Sequence, residues 1–134
     1  MRVRSAVLTA AISSLVLAAP VLAHHSFAAE FDQGKPMKVS GTVTKVEWMN
    51  PHAHFYLDVK DDSGSVTNWD FELASPNVLL MKGWSRNSLK AGDQATVEGF
   101  QAKDGAKLAN ARRVTLPDGR KVFAGSTTDG EPTK

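Results

Sequence analysis

The chain has 134 residues, of which 16 are Lys or Arg, 14 are Asp or Glu, four are His and none is Cys. Without cysteine it forms no disulfide bonds, so its fold must be stabilised by an apolar core. The formal net charge of +2 is small, which gives no support to a nucleic-acid partner.

The amino-terminal segment has the composition of a secretion signal. Arg2 and Arg4 form a positive start, and an apolar run rich in Ala, Val and Leu follows at residues 6–19. Val21 and Ala23 are small enough for the two recognition positions of a signal-peptidase site. This pattern predicts a signal peptide at residues 1–23 that is cleaved after Ala23.

A membrane-spanning helix is the alternative for the same segment. The apolar run has 14 residues, whereas a bilayer core needs about 20, and Pro20 ends the run. We therefore expect a periplasmic protein without a membrane anchor. Loss of Arg2 and Arg4 leaves 14 basic and 14 acidic residues, so no basic excess remains for nucleic acid. The remaining chain is long enough for one domain.

The first half of the exported chain predicts three strands. A polar lead-in at residues 24–36 comes first. Alternating apolar and polar residues then indicate strands, separated by turn-forming residues at Asn50-Pro51 and at 61–64. The three strands are expected at residues 37–48, 52–59 and 66–73.

The second half predicts one short helix and two or three further strands. Ser75 and Pro76 are typical of a helix start and Gly83 of a helix end, which indicates a helix at residues 78–83. The composition after Gly125 is too polar to bury and predicts a disordered tail at residues 126–134. The further strands are expected at residues 94–101, 107–116 and 120–124.

This order of elements predicts an all-β domain at residues 37–125 that contains one short helix. Three strands, a helix and then two or three strands match a small five- to six-stranded Greek-key barrel of the OB type, in which the helix lies between strands three and four. An open sandwich or a split barrel is the alternative. A parallel α/β sheet is excluded because only one segment has the length of a helix.

The hairpin of the second and third strands predicts a cluster of polar residues. A three-residue loop with Gly64 in the left-handed conformation sets the register. It pairs Phe55 with Phe71 and Leu57 with Trp69 on the inner face. On the outer face, the same register places His54 opposite Glu72 and Tyr56 opposite Asp70, with His52 two residues earlier on the same face.

The histidines suggest a metal site. Cleavage after Ala23 makes His24 the first residue, so it offers both an amine and an imidazole, and His25 follows. His52 and His54, with Glu72, are suitable ligands for copper(II) or zinc. The complete set resembles the copper "histidine brace" of secreted oxidases. The alternative is an exposed strand with a simple His–Glu charge pair and a frayed chain start.

A second hypothesis is a metal-free binding module. The face around strands two and three is the usual ligand surface of OB folds. Here, Tyr56, Asp70 and Trp84 are the candidate contacts for a small molecule, a glycan or a protein partner, although Trp84 could instead belong to the core. No catalytic motif is present, so we do not expect an enzyme, and a metal-dependent oxidative enzyme ranks last.

Several segments of the exported chain carry a resemblance to a known family. They are residues 24–32, 41–43, 46–48, 50–53, 72–77, 83–84, 88–93, 110–112 and 116–125. Along essentially the whole exported chain, the sequence resembles a family of small exported bacterial proteins classified only as a domain of unknown function. The resemblance implies periplasmic export and a small β-barrel but no established activity. It further implies that histidines recur at the positions of His24, His25 and His52, whereas another residue type often replaces His54.

Overall fold

The computed structural model describes residues 26–125, except for the side chain of Ser26. The predicted signal peptide, His24, His25 and the predicted tail lie outside these residues. The described part contains two short helices and six strands. They are α1 (Ser26–Glu30), β1 (Phe31–Glu47), β2 (His54–Lys60), β3 (Val66–Glu72), α2 (Pro76–Met81), β4 (Gln94–Ala102), β5 (Leu108–Thr115) and β6 (Lys121–Phe123).

The six strands form one sheet in the order β3-β2-β1-β4-β5-β6. Neighbours in this order are antiparallel, and β3 also pairs in parallel with β5 over three residue pairs. The prediction of an all-β fold with a short helix between strands three and four is therefore confirmed. Within residues 26–125, no helix is long and apolar enough to cross a membrane.

The main departure from prediction lies at the start of the domain. The predicted polar lead-in contains helix α1 and the first part of β1, which begins at Phe31 rather than at Met37. Gly34 and Pro36 lie at the end of the predicted lead-in. In the structure they lie in an exposed stretch where the pairing of β1 with β4 shifts register between Phe31 and Pro36. Strand irregularities of this kind tolerate proline because no ladder hydrogen bond is lost there.

The β2–β3 hairpin has the predicted register. Phe55 pairs with Phe71, and Lys60 pairs with Val66 at the end of the ladder. The turn is closed by a hydrogen bond from the Asp61 amide to the Ser65 carbonyl (2.9 Å), and Gly64 adopts a φ of 88°. Period-two alternation and a glycine-containing loop were sufficient to determine this register.

The apolar core lies between the inner faces of the strands and helix α2. Ser75 caps this helix by accepting a hydrogen bond from the Val78 amide. Trp69 is only half-buried and packs against the core, where its ring stacks on Phe71. The largest fully buried core side chains are Val43, Phe55, Leu57, Phe71, Leu79, Val97 and Val114.

A second apolar cluster lies outside the main core, where α1 folds back on β4. The Phe27 ring lies 5.5 Å from that of Phe31 and 6.3 Å from that of Phe100. Phe31 pairs with Ala102, and both are buried without belonging to the main core. We call Phe27, Phe31, Phe100 and Ala102 the outer cluster. It fixes the start of the described chain against β4.

Candidate functional site

The outer face of the β2–β3 hairpin carries two imidazole–carboxylate pairs. His54 Nδ1 lies 2.7 Å from Asp70 Oδ1 and forms a hydrogen bond with it. His52 Nδ1 lies 2.9 Å from Glu72 Oε1. β2 and β3 place His54, Asp70 and Glu72 on one surface, as the sequence predicted, and His52 joins them from the segment just before β2, which begins at His54 and not at residue 52. We call these four residues the imidazole–carboxylate face.

The partners within these pairs differ from the expectation. His54 and Glu72 are directly opposed in the backbone register, yet each histidine contacts the carboxylate on the diagonal. The diagonal neighbour on an antiparallel pair lies within reach of long or aromatic side chains. In the alternative interpretation His54 was paired with Glu72, whereas the carboxylate at hydrogen-bond distance from His54 is that of Asp70, and Glu72 contacts His52.

The two histidines are unequally exposed. The side chain of His52 is 37% exposed and that of His54 is 22% exposed. The hydrogen bond to Asp70 raises the pKa of His54 above its ordinary value, and partial burial opposes that rise. An ionised carboxylate only accepts hydrogen bonds, so the Nδ1 of His54 carries the donated proton. The ring nitrogen that remains for another partner is Nε2.

Residues of β1 extend the polar surface. The Tyr56 hydroxyl donates to Glu47 Oε2 at 3.2 Å, and Lys45 forms an ion pair with Glu47 and lies 5.4 Å from the centre of the Tyr56 ring. Partial burial is the main cause that raises the pKa of Tyr56. The hydrogen bond from Lys45 is the main cause that lowers the pKa of Glu47. Lys45 and Glu47 were not predicted to take part in the site.

Within residues 26–125, no three His, Asp or Glu side chains are arranged to hold a metal ion. The compact ligand set predicted from His52, His54 and Glu72 is therefore not formed by these residues alone. The physical reason is that Asp70 and Glu72 are each turned toward the Nδ1 of a histidine. They support the imidazoles instead of joining them around a common centre.

Trp84 is not part of this surface. Its side chain is 5% exposed and belongs to the core, and its Nε1 donates to the Phe123 carbonyl at 2.8 Å. This burial corrects the prediction of Trp84 as a ligand contact. A buried indole needs an acceptor for its N–H, and the short strand β6 supplies one. Tyr56 and Asp70 remain on the half-buried outer surface.

Asn110 lies next to the site, and the functional predictions did not include it. It pairs with Glu72 on β3 and with Phe100 on β4. It is 3% exposed, and its Oδ1 has no hydrogen-bond partner within the described part of the chain. The available signal was a single amide side chain between Ala109 and Ala111, since asparagine is depleted in strands.

Comparison with known proteins gives a family and similar solved structures. The model of a family of unknown function (DUF6152) matches residues 11–111. No curated protein matches the chain. A solved structure of the N-terminal domain of PriB protein from Thermoanaerobacter tencongensis is similar at 17% sequence identity with a TM-score of 0.42. That similarity covers 63% of this chain and 97% of the other.

Proposed function

This chain belongs to the DUF6152 family of unknown function, and we propose from its own geometry that it is an exported protein that binds copper(II) or zinc. The ligands are the amine and ring of His24, the ring of His25, and the Nε2 atom of His52. His54 contributes a further nitrogen, and Glu72 supports His52. Cleavage after Ala23 creates the required amine, and the mass of the periplasmic protein tests that cleavage.

One observation carries the proposal. Two histidines, His54 at the start of β2 and His52 two residues before it, each have Nδ1 against a carboxylate oxygen, at 2.9 Å for His52 and 2.7 Å for His54. Metal-binding histidines commonly donate one ring N–H to a carboxylate, which fixes the tautomer and makes the other nitrogen more basic. The two pairs of the imidazole–carboxylate face support the proposal because they match this outer-shell arrangement, and the proposed site requires further ligands.

The position of the outer cluster supports the proposal that the remaining ligands come from the amino terminus. Phe100, Asn110, Glu72 and His54 are successive partners across four strands. With about 4.8 Å between strands, Phe100 and Glu72 are about 10 Å apart. The Phe27 ring contacts the Phe100 ring, and His24 lies three residues before Phe27 in the sequence.

We further propose that the sheet closes into an OB-type barrel. The support is the parallel pairing of β3 with β5, at Asp70–Leu108, Phe71–Ala109 and Glu72–Asn110. That pairing joins the two ends of the run β3-β2-β1-β4-β5 into a ring. A closed sheet also explains why the successive strand partners Phe100, Asn110, Glu72 and His54 form one row from the outer cluster to the imidazole–carboxylate face.

A copper(II) titration of two matched proteins tests the metal proposal. The first begins at His24 with a free amine, and in the second that amine is acetylated. We expect acetylation to weaken binding by more than about tenfold, because the acetylated nitrogen is no longer a ligand and losing a ligand costs more than losing an outer-shell partner. Asp58→Asn is a control on the same face, since Asp58 accepts a hydrogen bond from Asn68 and contacts neither histidine.

The outcomes of this titration separate the possibilities. If both proteins bind equally, the amine is not a ligand and the strand histidines form the site alone. If neither binds more tightly than a denatured control, the metal proposal is rejected. The second candidate function then takes its place, a metal-free binding module. The observation that favours it is the half-buried Tyr56 ring, held by Glu47 and Lys45 beside Asp70.

A further inference from the structure

We infer that the end of α2, together with β5 and β6, forms a surface that binds peripherally to an anionic phospholipid bilayer. This surface contains none of the proposed metal ligands, so membrane binding and metal binding are independent of each other. We call it the basic–apolar surface, and its residues are Leu80, Met81, Lys82, Arg112, Lys121 and Phe123.

Charge is distributed unevenly along the described chain. With the histidines neutral, residues 26–75 contain eight Asp or Glu and four Lys or Arg, a net charge of −4. Residues 76–125, which form α2, β4, β5 and β6, contain four Asp or Glu and nine Lys or Arg, a net charge of +5. Such asymmetry between two halves is typical of proteins with an anionic partner. The small net charge of the whole chain therefore combines an acidic half with a basic half.

Phe123 on β6 gathers cations of the basic half. The Lys82 ammonium lies 5.0 Å and the Arg112 guanidinium carbon 5.4 Å from the centre of the Phe123 ring, which are distances of cation–π contacts. A ring holds a cation without neutralising its charge, unlike a carboxylate. Lys121 is exposed and lies two residues before Phe123 on the same strand, so the two side chains leave the strand on the same side. Three cations are therefore held close together.

Helix α2 exposes two large apolar side chains beside these cations. The helix buries Pro76 and Leu79, whereas Leu80 is 54% and Met81 is 77% exposed. Residues one or two positions apart on a helix do not share a face, so Leu80 and Met81 point away from the core that holds Leu79. Lys82 follows them directly and connects them to Phe123. Apolar side chains exposed beside Lys or Arg are typical of surfaces that lie at a membrane interface.

The aliphatic side chains favour a bilayer over nucleic acid as the anionic partner. Both partners attract cations. Proteins bind single-stranded nucleic acid by stacking its bases on aromatic rings, and Leu80 and Met81 carry no ring. At a bilayer, by contrast, the same side chains leave water for the boundary of the acyl chains. A bilayer therefore uses both the cations and the apolar side chains of the basic–apolar surface.

Vesicle sedimentation tests the inference with the protein that begins at His24. One vesicle preparation is an equimolar mixture of phosphatidylglycerol and phosphatidylcholine, and the other is phosphatidylcholine alone. We expect binding to the mixed vesicles at low salt, weaker binding as salt is added because exposed charges are screened, and little binding to phosphatidylcholine alone. A chelator in every sample makes the result independent of the copper(II) titration.

Substitution of the apolar side chains tests their insertion. Leu80→Gln combined with Met81→Gln should weaken binding to the mixed vesicles by about tenfold or more, because less apolar area leaves water. Val66→Gln is the matched control and should bind like the wild type, since Val66 is 55% exposed but belongs to the acidic half. The melting temperature of each variant checks that the fold is intact.

Substitution of the lysines tests the electrostatic part separately. Lys82→Gln and Lys121→Gln should each weaken binding about fivefold, as expected for one cation near an anionic membrane surface. Lys60→Gln, at an exposed position at the end of β2, is the matched control and should leave binding unchanged.

Three results would overturn the inference. The first is no binding to the mixed vesicles at low salt, or equal binding to both vesicle preparations. The second is an equal loss of binding in the basic–apolar variants and in their controls. The third is tighter binding to a labelled single-stranded oligonucleotide that Leu80→Gln with Met81→Gln does not weaken, because the basic–apolar surface then binds nucleic acid instead.

Discussion

The two faces of the β2–β3 hairpin share one backbone and one register but differ in chemistry. On the inner face, Phe55, Leu57 and Phe71 are at most 1% exposed, and the rings of Phe55 and Phe71 lie 5.3 Å apart. On the outer face, His54 and Tyr56 are half-buried and bound to carboxylates. One face supplies the apolar core and the other supplies groups that can bind a ligand.

This difference has an energetic basis. A fully buried large apolar side chain contributes about 1.5–3 kcal/mol through its transfer from water. A partly exposed ion pair contributes about 0–1 kcal/mol. Substitutions on the inner face should therefore affect folding, whereas those on the outer face should affect binding and leave the fold intact. The following predictions test this separation, beginning with the largest expected effect.

Phe71→Ala should have the largest effect. Removing a fully buried ring leaves a cavity beside Phe55, and we expect the free energy of unfolding to fall by about 3–5 kcal/mol. Urea denaturation measures this change. Val66→Ala, at an exposed position of the same strand, is the control and should change stability by less than about 0.5 kcal/mol. A loss below about 1 kcal/mol for Phe71→Ala would contradict the assignment of the inner face.

Glu72→Gln should affect binding more than folding. The glutamine cannot hold the His52 imidazole as a carboxylate does, so copper(II) affinity should fall about tenfold. Stability should change by less than about 1 kcal/mol. Isothermal titration with copper(II) and urea denaturation measure the two quantities. Glu98→Gln is the matched control, because Glu98 on β4 forms an ion pair with Lys38 on β1. If copper(II) affinity falls equally in Glu72→Gln and Glu98→Gln, Glu72 has no specific role in copper(II) binding.

His54→Gln should reduce stability only at low pH. Asp70 raises the pKa of His54 in the folded protein, so protonation of His54 stabilises the fold below its unfolded pKa of about 6.5. This contribution is lost as the pH rises through the folded-state pKa. The difference between wild type and variant, less than about 1 kcal/mol, should be present near about pH 5.5 and absent at about pH 8.5. Denaturation curves at both pH values check the sign, and a larger difference at high pH would be inconsistent with the His54–Asp70 pair.

Lys45→Gln should have the smallest effect, confined to the edge of the outer face. Lys45 lowers the pKa of Glu47 mainly through a side-chain hydrogen bond, so its removal should raise that pKa toward the ordinary value. NMR titration of the Glu47 carboxylate measures the shift. Tyr56→Phe removes a weaker contribution and should raise the same pKa less. A fall in the pKa of Glu47 in Lys45→Gln would contradict the Lys45–Glu47 ion pair.

Structural features that depend on residues near each other in the chain were predicted correctly. Alternation along residues 54–60 and 66–72 and the glycine at position 64 determined the hairpin register, which in turn placed His54, Tyr56, Asp70 and Glu72 on one face. A strand has a period of two and a short loop has few conformations, so both can be derived from local sequence. The export, metal and ligand predictions remain predictions.

Features that depend on distant segments were not predicted. Helix α1 and the early start of β1 depend on the packing of Phe27 against Phe100. The burial of Trp84 depends on an acceptor at Phe123, 39 residues later in the chain. The diagonal pairing of His52 with Glu72 depends on which rotamers the surrounding side chains allow. None of these contacts leaves a period or a turn signal in the sequence.

The sequence by itself determined the two-faced hairpin, because alternation and turn chemistry act within a few residues. Only the tertiary structure decided what lies next to that hairpin. The pairing of β3 with β5 brings Asn110 beside Glu72, and the folding back of α1 brings Phe27 over β4. These contacts join segments far apart in the chain, and they form because burial of apolar surface and strand pairing act on the folded chain as a whole.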